Sequence, residues 1–142
     1  MPETRRPRRM LRSVGAVLTG FLVIVVLSTI TDLVLHATGV FPPEGQPMAD
    51  SLWLLATGYR IVFGIAGCYL AARLAPDRPM LHALVLGVVG LVLSVAGAAA
   101  TWDQGPGFGP KWYPLAVVAI ALPCAWIGGK LGEMQRRAHT AA

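Results

Sequence analysis

The stretch VGAVLTGFLVIVVLSTIT, residues 14–31, has no charged side chain and decides the fold of this chain. A run of this kind is typical of a helix that crosses a bilayer, because about 20 mostly apolar residues span about 30 Å of hydrocarbon. Lipid offers no hydrogen-bond partners, so such a segment must satisfy its own backbone as an α-helix. The sequence therefore predicts a membrane-spanning helix that continues to residue 36.

Three more apolar segments follow, separated by turn-rich connections at 37–51, 75–79 and 103–110. All three connections contain proline, and the first and third also contain glycine. Proline interrupts a helix because it lacks the backbone N–H and clashes with the preceding turn. The predicted helices cover residues 14–36, 52–74, 80–101 and 112–131. Short connections favour antiparallel neighbours. We predict an all-α, four-transmembrane-helix bundle with up-down-up-down topology, flanked by a basic tail at 1–13 and a C-terminal tail at 132–142.

The composition supports a membrane protein over a soluble or disordered one. Of the 142 residues, 55% are hydrophobic and only 13% are charged, whereas about 25% of residues are charged in soluble domains. Five arginines lie within the first twelve residues, at Arg5, Arg6, Arg8, Arg9 and Arg12. A basic block directly before an apolar segment is typical of a topology signal. We therefore expect no nucleic-acid partner.

The distribution of positive charge predicts the orientation in the membrane. Ten of the twelve Lys and Arg residues lie in or beside the two tails and the 75–79 turn, whereas only Lys111 lies beside the other two connections. The positive-inside rule places the basic side in the cytoplasm. We expect a multi-pass protein of the inner or plasma membrane with both termini cytoplasmic. Trp53, Trp102, Trp112 and Tyr113 are predicted to form an aromatic belt near the outer boundary.

Asp32 and Arg60 are the two charged residues that lie well inside the predicted spans of the first hairpin, away from their ends. Charges in a membrane segment are costly and usually have a partner or a function. Asp32 lies about 6 Å further outward than Arg60 along the axis, and their side chains lean toward each other. The first interpretation is a structural ion pair. Two alternatives are that Arg60 extends separately to the outer surface, and that the pair lines a polar path for a proton, ion or small solute.

A polar stripe accompanies Asp32 on the first helix. Ser28, Asp32 and His36 follow one another every four residues and share one face, and Thr31 lies beside that face. These side chains could simply bond to the backbone of their own helix or to a neighbouring helix. Alternatively they form a wet stripe that opens outward, in which His36 gains or loses a proton near neutral pH.

Small residues recur every four positions on the other three helices. The set is Gly64, Cys68 and Ala72 on the second helix, Gly90, Ser94 and Ala98 on the third, and Ala121, Ala125 and Gly129 on the fourth. Small side chains let helices approach closely, so that dispersion contacts hold them together in lipid. We predict that these faces pack within the bundle. The same faces would also suit a homodimer or another membrane protein as partner.

Several stretches along the sequence resemble a known group of proteins. The run Tyr69-Leu-Ala-Ala-Arg-Leu-Ala-Pro-Asp-Arg-Pro79, then His82-Ala-Leu and Gly87, and later Trp112-Tyr-Pro and Trp126-Ile-Gly-Gly, is similar to a pattern in small, uncharacterised bacterial four-helix integral membrane proteins. This resemblance covers most of the chain. It implies the four-helix architecture and no activity.

No motif in the sequence predicts catalysis, a cofactor or a metal site. Cys68 and Cys124 have neither CxxC nor zinc-site spacing. We expect a non-catalytic structural or accessory membrane protein first. The alternative is a transporter or channel for a small solute or ion, which would use the polar stripe with Arg60. A membrane enzyme comes last, because no nucleophile, base or metal constellation is present.

Overall fold

The computed structural model describes residues 5–141, which form four long α-helices. Their bounds are α1 Arg5–Ala37, α2 Asp50–Leu74, α3 Pro79–Thr101 and α4 Trp112–Ala141, with one short 3-10 turn at Pro106–Phe108. The described residues contain no strand. All four helices are long and apolar enough to cross a membrane. The prediction of an all-α chain with four such segments is confirmed.

Two helices extend well beyond the predicted spans. Helix α1 begins at Arg5 and α4 ends at Ala141, so both predicted tails are helical where the structure describes them. Residues 1–4 and 142 of those tails lie outside the described range. Pro7 falls in the first turn of α1, where a missing N–H costs no helical hydrogen bond. The apolar run therefore marks the part of the helix that is apolar enough to cross a membrane, whereas the helix itself continues as far as its backbone hydrogen bonding does.

Helix α1 packs against α2 through two glycines that let the backbones meet. A Cβ atom on Gly20 would lie 2.5 Å from the carbonyl oxygen of Gly67, and one on Gly67 would lie 2.3 Å from the Ile24 side chain. Ala71 and Leu86 complete this contact as part of the buried core. Ala16 and Gly20, four residues apart, were not among the predicted packing residues, although their spacing is the same small-residue pattern.

Helix α2 packs against α4 over three successive turns. A Cβ on Gly128 would lie 2.6 Å from the carbonyl oxygen of Ile65 and 2.7 Å from the amide nitrogen of Tyr69. One turn further, a Cβ on Gly132 would lie 2.6 Å from that of Ala72. At the other end a Cβ on Gly64 would lie 3.4 Å from that of Cys124. The predicted face Gly64, Cys68 and Ala72 is therefore an interhelical contact.

Helix α3 packs closely against α4 in its first half. A Cβ on Gly87 would lie 2.4 Å from that of Ala125, and one on Gly129 would lie 3.0 Å from that of Ala83. By contrast, no neighbouring heavy atom lies within 4 Å of a Cβ placed on Gly90 or Gly97. Gly90, which was predicted to pack against another helix, instead faces a cavity of the bundle.

Ser94 and Ala98 continue the Gly90 face of α3, and both line cavities of the bundle. Helix α1 contacts α3 near its own middle, where Gly20 approaches the Leu86 side chain. The contact between these two helices is narrow compared with the others. A cleft therefore lies between α1 and the second half of α3.

The surface of the bundle is largely apolar. Within the most apolar part of each helix, only 11–28% of residues are buried inside the protein. Leu22, Val62 and Val92 are among many exposed large hydrophobic side chains. Soluble monomers rarely expose contiguous apolar surface on this scale. The four helices thus suggest a multi-pass membrane protein in which lipid covers these side chains.

The α1–α2 and α3–α4 connections meet at one end of the bundle, called the loop end here (residues 38–49 and 102–111). A Cβ on Gly107 would lie 2.4 Å from the carbonyl oxygen of Gly45, so the two loops touch through their backbones. Gly109 has a φ of 96° and lies against the ring of Trp53. Both its conformation and its closeness to that ring require glycine. The joined loops cover the region that contains Asp32 and Arg60.

Candidate functional site

Asp32 and Arg60 form an ion pair between α1 and α2. Nη2 of Arg60 lies 2.7 Å from Oδ2 of Asp32. The side chain of Arg60 is 25% exposed and that of Asp32 is 33% exposed. This distance is that of a charge-assisted hydrogen bond. The structure thus brings together the two residues that the sequence analysis paired. Neither side chain is fully enclosed, so both remain available to a molecule in the surrounding space.

Tyr59 completes the hydrogen bonding of the pair. Its hydroxyl donates to Oδ1 of Asp32, so both carboxylate oxygens accept a hydrogen bond. Nη1 of Arg60 donates to the Tyr59 hydroxyl at 2.8 Å and to the carbonyl oxygen of Ala56 at 3.2 Å. Tyr59 was not among the residues predicted from the sequence. A signal for it was present, since a hydrogen bond from Arg60 alone leaves one oxygen of Asp32 without a donor, and Tyr59 precedes Arg60 directly in the sequence.

Aromatic rings surround the guanidinium group of Arg60. Its central carbon lies 5.0 Å from the centre of the Tyr59 ring and 5.8 Å from that of Tyr113. Tyr113 packs in turn on Trp53, with ring centres 4.6 Å apart. Both distances from Arg60 fall in the range of a cation–π contact. Trp53 and Tyr113, assigned from the sequence to an aromatic belt, are therefore also part of the ion-pair site.

Three cavities meet at the ion pair, and Asp32 and Arg60 line all of them. The loop-end cavity has about 620 Å³ and extends to His36, Phe41 and Glu44. The side cavity has about 520 Å³ and lies along Ser94, Gly97 and Thr101 of α3. The inner cavity has about 360 Å³ and is mostly apolar, reaching Gly64, Cys68 and Cys124. Together they occupy the cleft between α1 and α3.

The predicted polar stripe is only partly present. Ser28 lines the inner cavity and His36 lines the loop-end cavity. His36 also lies 2.8 Å from the carbonyl oxygen of Asp32 through Nδ1, and its ring meets Phe41 edge-on. Thr31 lines none of the three cavities and donates to the carbonyl oxygen of Leu27 at 2.7 Å.

Thr29, which the sequence analysis left out, lines both the loop-end and the inner cavity. Helix geometry explains why Thr29, and not Thr31, lines these cavities. At about 100° per residue, Thr29 lies about 60° around the helix from Asp32, whereas Thr31 lies about 100° away on the other side. Adjacency in sequence is thus a poorer guide to the stripe than the angle around the helix.

The groups at this site are able to bind a small molecule. Carboxylate, guanidinium, hydroxyl and aromatic groups converge on a shared space, which is typical of sites that orient a small molecule. Within residues 5–141, no group of three or more His, Cys, Asp or Glu side chains is placed to hold a metal ion. The two thiols, Cys68 and Cys124, are free and buried.

No protein-family model matches the chain, and no curated protein or solved structure is significantly similar to it.

Proposed function

We propose that the chain is a four-span protein of the inner or plasma membrane with up-down-up-down topology and both termini in the cytoplasm. The order of the interhelical contacts supports the topology. Gly20 of α1 lies against Gly67 of α2, whereas Asp32, which comes later in α1, contacts Arg60, which comes earlier in α2. This order supports antiparallel packing of the two helices. The surplus of Lys and Arg in the tails and the 75–79 turn supports the orientation.

Reporter fusions at Glu44, Asp77 and Asp103 test this topology. Fusions at Glu44 and Asp103 should give activity only with a reporter that works outside the cytoplasm, and a fusion at Asp77 only with one that works inside. The reason is that positively charged segments resist translocation. A cytoplasmic signal at Glu44 would contradict the orientation. A fusion at Arg137, also expected to be cytoplasmic, is the matched control.

Within the membrane, the chain has a non-catalytic structural or accessory role. The observation that supports this role is the closed set of hydrogen bonds among Asp32, Tyr59 and Arg60. Because these bonds link α1 to α2, the network holds the first hairpin together and fixes its register. Buried polar groups are known to specify packing in this way in some proteins. The measurement that tests the role is the stability of variants in which one or both charges are removed.

A second candidate function is the binding or passage of a small solute or ion. The three cavities that meet at the ion pair favour it, since a purely structural pair needs no space around it. The loop-end cavity alone, at about 620 Å³, falls within the range of about 300–1,000 Å³ that small-molecule sites occupy. Ser28, Thr29 and His36 supply further polar groups along this space.

Cysteine labelling tests whether this space is wet. With Cys68 and Cys124 replaced by alanine, Thr29→Cys should react with a membrane-impermeant thiol reagent at least about tenfold faster than Thr31→Cys, because only Thr29 faces the cavities. Thr31→Cys is the matched control, two residues away on the same helix. Equal rates at the two positions, or no reaction at Thr29→Cys, would contradict the solute-binding function.

A further inference from the structure

We propose that the cleft between α1 and α3 binds a single amphiphilic molecule with a singly positive head and an unbranched apolar tail. The head would lie in the loop-end cavity and the tail in the inner cavity. This inference deepens the solute-binding function proposed above and rests on it. It names one class of ligand, an organic cation with an alkyl chain.

The cleft has two chemically different halves. The inner cavity is bounded by aliphatic side chains of three helices, among them Ile24, Leu86, Val117 and Ile120. Gly90 keeps it open, since nothing lies within 4 Å of a Cβ at that position. The loop-end cavity contains the charged and aromatic groups instead. Because both halves meet at Asp32 and Arg60, a ligand that fills them must be polar at one end and apolar at the other.

The charge of the polar half selects a cation. Asp32 and Glu44 line the loop-end cavity together with a single positive group, Arg60. That leaves one surplus negative charge, since no ion pair involves Glu44 within the described part of the chain. The guanidinium of Arg60 already donates to Asp32, Tyr59 and Ala56. An anionic head would therefore meet two carboxylates and an arginine whose guanidinium already donates its hydrogen bonds to other groups.

The aromatic lining suits the same kind of head. Trp53, Phe41, Phe108 and Tyr113 all border the loop-end cavity. Aromatic faces attract organic cations, quaternary ammonium groups above all. Asp103 in the second loop and Asp50, the first residue of α2, lie at this end in addition, and Lys111 is the single basic residue of the two loops. The field at the mouth of the cleft thus attracts positive ligands.

Binding of dodecyltrimethylammonium to the protein in nanodiscs of zwitterionic lipid tests the proposal. We expect saturable binding that is at least about tenfold tighter than that of dodecyl sulfate, which has the same tail and the opposite charge. Gly90→Leu should weaken binding of the cation about tenfold, because the new side chain displaces two or three methylene groups of the tail. Gly58→Leu is the matched control, since Gly58 also has open space at its Cβ and lines no described cavity.

Glu44→Gln provides a second variant that leaves the helix contacts intact. It should weaken binding of the cation about threefold and leave that of dodecyl sulfate no weaker. Equal affinity for the two amphiphiles, or equal effects of Gly90→Leu and Gly58→Leu, would overturn the proposal. The proposal would also be overturned if Gly90→Leu changed the oligomeric state and the protein bound no cation. That result would identify a second copy of the chain as the occupant of the cleft.

These outcomes are separable from the failure of the solute-binding function. If Thr29→Cys is unreactive toward the impermeant reagent, the cleft is closed to water and the broader function fails. If Thr29→Cys reacts but dodecyltrimethylammonium does not bind, the cleft is wet and only the assignment of the ligand is wrong.

Discussion

Asp32→Ala is expected to lower the free energy of unfolding by about 3 kcal/mol. The substitution leaves the guanidinium of Arg60 between helices without a counter-ion, and its remaining partners are the neutral Tyr59 and Ala56. An unpaired charge within a membrane segment costs about 2.5–3.5 kcal/mol by insertion scales. Arg60→Ala should have an effect of similar size, since among the described residues it leaves the carboxylate of Asp32 with Tyr59 as its one side-chain donor.

Denaturation of the purified variants in mild detergent micelles measures both effects. The control is the doubly apolar variant Asp32→Leu with Arg60→Met, which should remain within about 1 kcal/mol of the natural protein, because removing both charges leaves neither unpaired. The charge-swapped variant, Asp32→Arg with Arg60→Asp, should be more stable than the less stable of the two alanine variants. A charge-swapped variant that is no more stable than this alanine variant would show that the ion pair does not hold the hairpin together.

Gly128→Val should cost about 3 kcal/mol of stability, through a different mechanism. Any Cβ at this position would lie 2.6 Å from the backbone oxygen of Ile65 and 2.7 Å from the backbone nitrogen of Tyr69. Backbone atoms of a neighbouring helix cannot move aside as a flexible side chain can. Helices α2 and α4 must therefore separate, and dispersion contacts along their length are lost.

Gly58→Val is the matched control for this loss. Gly58 lies in α2, where its Cβ would meet open space, and valine is a better helix former than glycine by a few tenths of a kcal/mol. The control should therefore be neutral or slightly stabilising in the same denaturation experiment. Similar losses from both substitutions would mean that the α2–α4 contact is not the one that the structure shows.

The four helices could be predicted because lipid imposes a simple requirement on the sequence. Every spanning segment must be apolar and helical, so residues 14–31 and the three later runs are visible from composition alone. The helix ends were not predictable in this way. Backbone hydrogen bonding continues from Arg5 and up to Ala141, and nothing about hydropathy limits it to the apolar part.

The site could be predicted in outline for a related reason. Asp32 and Arg60 stand out because charges are rare in such segments, and the axial positions of two antiparallel helices follow from their lengths. Tyr59 and Thr29 do not stand out, since hydroxyl side chains are common in membrane helices and usually bond to their own backbone. Which of them faces the pair depends on the rotation of each helix about its axis. That rotation is set by packing at Gly20, Gly67 and Gly128.

The unequal packing of the bundle has a mechanical consequence. Helices α2 and α4 interlock turn by turn through Gly64, Gly128 and Gly132, so they behave as one stiff spine. Helix α1, by contrast, contacts this spine through α2 and meets α3 only narrowly. Any widening or narrowing of the space around Asp32 would therefore come from a movement of α1 relative to α3, with the spine staying fixed.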